Sequence, residues 1–383
     1  MLNIIIAGIT SLLTDMSTEM VYPLIPIYLA SLGTPPAILG LIEGFAESSA
    51  ALLKLFSGNI SDRWRRRKPL AILGYAGSTI GKLFLYFSRT WSLVFIGRMI
   101  DRIGKGIRVA PRDALIADAS TIGTRGRAFG LHRALDTVGA ALGVIIAILI
   151  VARLGTGLTP NDYHRIFLIS LIPAFFGVLF LFFIRETCHP IPTLTPKLSF
   201  KNLPPKLRRF LIIIGIFALG NSSNQFLLLR MNKLGWSTLN ILLLYLLYNL
   251  TYAIFAYPAG KLADRFGTRK LLITGYTLYS AVYFGFALLN ETGANSFLPY
   301  LLFLVYGLFS AITEGQEKAL VAEIAQVNQR ATLIGLHAAI TGFGLLPASL
   351  LAGLLWNLFG PKAPFIFGGF LGLSATIGLA TLI

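Results

Sequence analysis

The sequence predicts an all-α integral membrane protein, with about twelve transmembrane helices in two six-helix repeats. Three observations carry that expectation. Apolar residues make up 55% of the 383-residue chain and charged residues only 13%, with a mean hydropathy of +0.73. A water-soluble domain of this size needs a far more charged surface. Apolar runs of the roughly 20 residues that a bilayer core demands follow one another, separated by short turns. The second half of the chain also repeats motifs of the first.

In order, the expected spans are 3–28, 36–60, 69–88, 91–118, 126–151, 163–184, 209–230, 237–262, 270–290, 297–323, 331–356 and 363–382. The first lacks a basic leader region and runs on into Asp15 and Glu19, so it reads as a helix that stays rather than a cleaved signal. The fourth is the most charged. The fifth carries Gly139, Gly143 and Ala147, small residues that let helices approach closely. Strands are not expected, because barrel spans take only about 9–11 residues and alternate in polarity.

The one long hydrophilic stretch, 185–208, is rich in proline and lysine and reads as a linker between bundles 1–184 and 209–383. The formal charge of +17 invites a nucleic-acid reading, but the basic residues gather in alternate loops. With the N-terminus inside, one set of loops holds about three times as many Lys and Arg as the other. Both termini are therefore expected in the cytoplasm of a cell with this chain in its inner membrane, and no nucleic-acid partner is expected. The single cysteine, Cys188, forms no intrachain disulfide and supplies no CxxC redox or zinc site.

The repeat is explicit. "GNISDRWRRRK" (58–68) follows the second span and "GKLADRFGTRK" (260–270) the eighth. Gly58, Asp62, Arg63 and the closing Arg-Lys correspond to Gly260, Asp264, Arg265 and Arg269 with Lys270. "ALIAD", ending at Asp118, mirrors "ALVAE", ending at Glu323, and "RGRAFGLH" mirrors "RATLIGLH". The doubled Gly-x-x-x-Asp-Arg loop resembles the signature loop of the major facilitator superfamily. "GRMIDRIG" (97–104) looks like that family's fourth-helix arginine motif, with Asp101 where glutamine is common. The resemblance spans the chain, and segments 13–26 and 101–118 are similar to a prokaryotic branch of mostly unassigned, efflux-type members. It implies the major facilitator fold and a secondary transporter. It also implies that Asp62 meets the start of the eleventh helix, that Arg66 reaches Asp118, and that Arg269 pairs with Glu323. Two departures stand out: Arg65 replaces the usual loop glycine, and the fifth helix lacks the proline of the antiporter motif.

Charge inside a span costs several kcal/mol unless paired or hydrated, and is read first as function. Asp15 and Glu19 share a face of the first helix. Glu43, Glu47 and Lys54 fall within about 40° of one another on the second, and a structural network is the favoured reading for them. Arg98, Asp101, Arg102, Lys105, Arg108, Arg112 and Asp113 form a stripe along the fourth that cannot face lipid. Aligning the first helix with the seventh sets Asn221 against Asp15 and Gln225 against Glu19. The first half is then expected to hold the protonatable centre. Asn221, Asn224 and Gln225 are expected on one face of helix seven as a neutral wall. His132 and His337, at equivalent repeat positions, read as structural.

A shift of 205 residues places Arg112 on Glu317 and Asp113 on Lys318. Opposite signs at equivalent positions predict an inner gate, Arg112 with Glu317 and Asp113 with Lys318, against the simpler expectation that each charge pairs within its own bundle. No P-loop and no metal spacing such as HExxH occurs. The expectation is therefore a proton-coupled secondary transporter with no cofactor, working as a monomer on a small organic solute by alternating access. Efflux is the first reading, an anionic metabolite the second and divalent-cation export the third. An intramembrane enzyme or receptor is the remote alternative, since the sequence shows no nucleophile elbow, no metal-ligand set and no sizeable extramembrane domain.

Overall fold

The computed structural model describes residues 2–64, 66–120, 125–155, 157–186, 203–290, 297–324 and 330–383. Among these the regular structure is entirely helical: α1 (Leu2–Val21), α2 (Ile25–Ser31), α3 (Pro36–Trp64), α4 (Lys68–Phe87), α5 (Trp91–Asp118), α6 (Arg125–Leu154), α7 (Pro160–Leu181), α8 (Pro205–Gly220), α9 (Gln225–Lys233), α10 (Thr238–Phe266), α11 (Thr268–Leu288), α12 (Leu298–Ile324), α13 (Arg330–Phe359) and α14 (Ala363–Leu382). Eleven helical stretches are long and apolar enough to cross a membrane, counting α1 with α2 and α8 with α9 as one each. The twelfth span is α5. Its 28 residues reach about 42 Å, but its charged stripe keeps it from passing as apolar.

Two expected single helices are broken. The first span changes to a 3-10 turn at Tyr22–Leu24, because Pro23 and Pro26 lack the N–H that an α-helix interior needs. The seventh leaves the helix after Gly220 and resumes at Gln225. The residues between, Asn-Ser-Ser-Asn, bear short polar side chains that compete for backbone partners. Asn221, Asn224 and Gln225 therefore do not share one helical face, contrary to the expectation above: the first two lie in or at the end of the break, and the third opens α9.

By contacts the chain divides into two compact units, 1–34 with 45–193 and 35–44 with 194–383. The first turns of α3 thus group with the second unit. Packing repeats between the units. In the first, α1 packs on α6 and α7, and α4 on α5 and α7. In the second, α8 packs on α13 and α14, and α11 on α12 and α14. Glycines set the closest approaches. A Cβ at Gly139 or Gly143 of α6 would fall 2.2 Å from the Leu12 or Met16 carbonyl oxygen of α1. A Cβ at Gly104 of α5 would fall 2.4 Å from the Gly74 oxygen of α4.

Candidate functional site

The first unit buries a network of charge around α5. Arg98, Asp101, Arg102 and Arg108 are each at most 4% exposed. Arg102 Nε lies 2.8 Å from Glu47 Oε1, and Arg98 Nη2 lies 3.8 Å from the same oxygen. Arg98 Nη1 is 3.5 Å from Asp101 Oδ2. Both guanidinium groups face the Tyr22 ring, at 5.4 and 5.8 Å from its centre. Arg108 donates to Ser78 Oγ and sits 4.5 Å over the Tyr75 ring. Lys82 of α4, buried, donates from Nζ to Thr18 Oγ1 at 3.1 Å. The close α4–α5 contact at the glycines brings Lys82 and Ser78 to the stripe. Lys105 is exposed, and Asp15 and Glu19 are half-buried on α1. Asp136 of α6 faces Asp15, held there because Gly139 and Gly143 let α6 lie against α1.

Of the three charges expected together on α3, Glu47 joins this network. Glu43, fully buried, accepts from Ser223 Oγ at 3.3 Å within the second unit.

The second unit holds a cavity of about 400 Å³ at the break between α8 and α9, lined among others by Asn221, Asn224, Tyr248, Tyr306, Glu317 and His337. Irregular backbone at membrane depth is tolerated where it lines a cavity of this kind. Asn224 orients two rings there. Its Oδ1 accepts from Tyr306 OH at 2.7 Å and its Nδ2 donates to Tyr248 OH at 3.3 Å. Tyr279 OH donates to the Gly220 carbonyl at 2.8 Å, so the broken end of α8 is satisfied. Gln225 is fully buried and is not on the cavity wall.

Three of the four gate residues have partners within their own units. Arg112 donates from Nε and Nη2 to Asp113 Oδ1 at 3.0 and 2.8 Å. Glu317 accepts from Tyr276 OH at 2.8 Å and lies 3.0 Å from His337 Nε2. Lys318 is exposed on the cavity wall.

The loops differ from expectation by one residue. Arg67, not Arg66, reaches Asp118, and it also donates to the Ala114 carbonyl at 2.9 Å. Arg66 is exposed, as is Arg63. The α4 helix starts at Lys68, which turns Arg67 inward. In the second loop Thr268 donates to Glu323, while Arg269 caps the end of α14 by donating to the Leu379 and Ala380 carbonyls at 3.0 and 2.7 Å. Asp264 and Arg265 are exposed, and Gly58 and Gly260 are half-buried. The side chain of Asp62 lies outside the described residues. Sequence reasoning missed Lys82, Asp136 and the tyrosines. A single lysine or tyrosine in an apolar run makes no pattern. Any charge inside a span is nonetheless a signal, and Lys82 was visible on that ground.

Twelve spans in two repeated bundles, with buried charge in one and a polar cavity in the other, define a polytopic membrane transporter. The sequence profile of the Major Facilitator Superfamily matches residues 7–229 and again 210–383. The chain belongs to that superfamily, and so is a transporter for a small molecule rather than an enzyme. It is 36% identical to an uncharacterized MFS-type transporter of Methanocaldococcus jannaschii, over 97% of this chain and 92% of that one. It is 23% identical to the class B tetracycline resistance protein of Escherichia coli, over 92% and 88%. Among solved structures, a D-xylose-proton symporter shares the fold with a TM-score of 0.78 at 18% identity, covering 99% of this chain and 97% of the other.

Proposed function

We propose that the protein is a secondary active transporter that expels a small organic solute across the cytoplasmic membrane by alternating access, driven by protons, with both termini in the cytoplasm. The observation that supports it most is the charge buried around α5. Glu47, Asp101, Arg98 and Arg102 sit inside the bundle, where ionised groups are costly and a working role is the default reading. The relatedness to a tetracycline resistance protein favours efflux. Asp15 and Glu19 are the proposed proton carriers, since the repeat has amides in their place. Asp15→Asn and Glu19→Gln proteoliposomes test this. Gradient-driven accumulation should fall about tenfold or more, equivalent to about 1.4 kcal/mol, while solute exchange survives. Wild-type accumulation in both variants and in the double variant overturns the assignment.

A second reading, transport of an anionic metabolite, draws on the surplus of cations in the same bundle. Lys82, Arg98, Arg102, Lys105 and Arg108 surround Glu47 and Asp101. Saturable uptake of a carboxylate or phosphate ester, with none of neutral or cationic solutes, would select it.

A further inference from the structure

Each unit joins a tyrosine to a histidine through a polar bridge, and the two bridges differ in chemistry. In the first unit the Ser11 hydroxyl joins a tyrosine to a histidine: Oγ lies 3.2 Å from Tyr75 OH and 2.8 Å from His132 Nε2. Arg112 Nη1 donates to the same hydroxyl at 3.2 Å. In the second unit the Glu317 carboxylate joins a tyrosine to a histidine. Tyr276 OH donates to Oε1 at 2.8 Å, and His337 Nε2 lies 3.0 Å from Oε2. His132 and His337, and Arg112 and Glu317, are 205 residues apart, the offset of the repeat itself. Tyr75 and Tyr276 each follow a glycine at the same turn of the repeat. One device is built on a permanent cation and the other on a carboxylate.

We infer that His337 is a proton-binding site of the second unit, with Glu317 as its counter-ion and Tyr276 as the residue that positions the carboxylate. The atoms specify the step. Glu317 Oε2 is an acceptor, so His337 Nε2 carries the hydrogen between them. The remaining ring nitrogen, Nδ1, is buried without a hydrogen-bond partner, although the residue lines the 400 Å³ cavity. A proton taken up from the cavity side adds to the Nδ1 lone pair. No other bond is made or broken, and the pair passes from anionic to neutral. Tyr276, fully buried, holds the carboxylate by donation, so Glu317 stays the acceptor throughout. Phe217 stacks on Tyr276 with ring centres 4.0 Å apart and planes at 9°, which fixes the phenol in turn.

The groups around the pair are these. On α12 itself are Glu314, which accepts from Tyr252 OH of α10, and Lys318, on the same wall. From α10 and α12 the wall presents Tyr248 and Tyr306, and from α13 Thr341 beside His337 itself. No ionised group of α8 or α9 is among the described residues of the wall. Of those residues only Lys318 opposes the new charge electrostatically, and it is exposed to solvent. This inference goes beyond the proton carriers proposed on α1 and does not rest on them.

The four histidines allow a direct test that needs no transported solute. Protein labelled with ¹⁵N at histidine alone, in lipid nanodiscs, is titrated from about pH 8 to about pH 5 while both imidazole nitrogens are read. His337→Asn identifies the signal, and His132 serves as the internal reference. The His337 ring should take up a second proton as the pH falls. Glu317→Gln should weaken that uptake relative to wild type, since a neutral amide no longer favours the imidazolium. Glu317→Asp, which keeps the charge, should restore most of it, separating charge from packing. A His337 ring that stays neutral throughout in the wild-type protein, or one that titrates identically in the Gln and wild-type proteins, overturns the inference. Neither result touches the proposal that Asp15 or Glu19 drives transport.

Discussion

Among single residues, Arg67 shows how much one helix start decides. With α4 beginning at Lys68, its guanidinium turns inward to Asp118 and the Ala114 carbonyl. Arg67→Ala should destabilise the purified protein by about 1–3 kcal/mol, because it leaves a buried carboxylate and a carbonyl without their donor. Arg66→Ala should stay within about 0.5 kcal/mol of wild type, as exposed substitutions do. Thermal unfolding in detergent measures both, and equal losses would contradict the assignment. Arg66 and Arg67 are neighbours in a run of arginines, but the repeat sets Arg67, not Arg66, against Arg269, so the signal for Arg67 was there and the expectation fell one position away from it. The charge stripe of α5 was legible because seven ionisable residues along one side of a helix are conspicuous in an apolar chain. Its partners were less so: Glu47 could be named, but Tyr22, Lys82 and Asp136 became partners only once α1, α4 and α6 were packed.

At the scale of elements, the helix breaks were the least legible feature. Apolar sequence flanks Asn221–Asn224 as it flanks Tyr22–Leu24, so both spans read as single helices. Proline explains the first break. The second depends on a cavity that accepts irregular backbone and on Tyr279 reaching the Gly220 carbonyl. Close packing, by contrast, was legible in the glycine spacing of α6. Gly143→Val should destabilise by about 1–3 kcal/mol or more, since the new side chain meets the Met16 carbonyl oxygen, which cannot move without shifting α1. Gly130→Ala on the same helix meets nothing within 4 Å and should be neutral or stabilising by up to about 1 kcal/mol. Equal unfolding temperatures for the two variants would show that the α1–α6 contact does not hold Asp15 against Asp136.

At the scale of the whole molecule, the internal repeat carried most of what could be read in advance. Matching loop motifs after the second and eighth spans implied two equivalent bundles, and the equivalent helix pairings in the two units agree with that. The repeat was less informative about chemistry, because each half sets different groups on the same frame. Buried charge gathers in one unit, and an amide and tyrosine cavity with a carboxylate–histidine pair opens in the other. Proton-driven efflux requires that solute and protons move in opposite directions, each tied to the other. Proteoliposomes containing a trapped pH-sensitive dye, supplied with tetracycline and with a panel of neutral, cationic and anionic organic solutes, measure both fluxes at once. For at least one solute, movement should be matched by proton movement the other way, and collapsing the pH gradient with an ionophore should abolish accumulation. Solute accumulation that persists at full rate without a gradient, or that proceeds with no proton movement, would contradict proton-driven efflux.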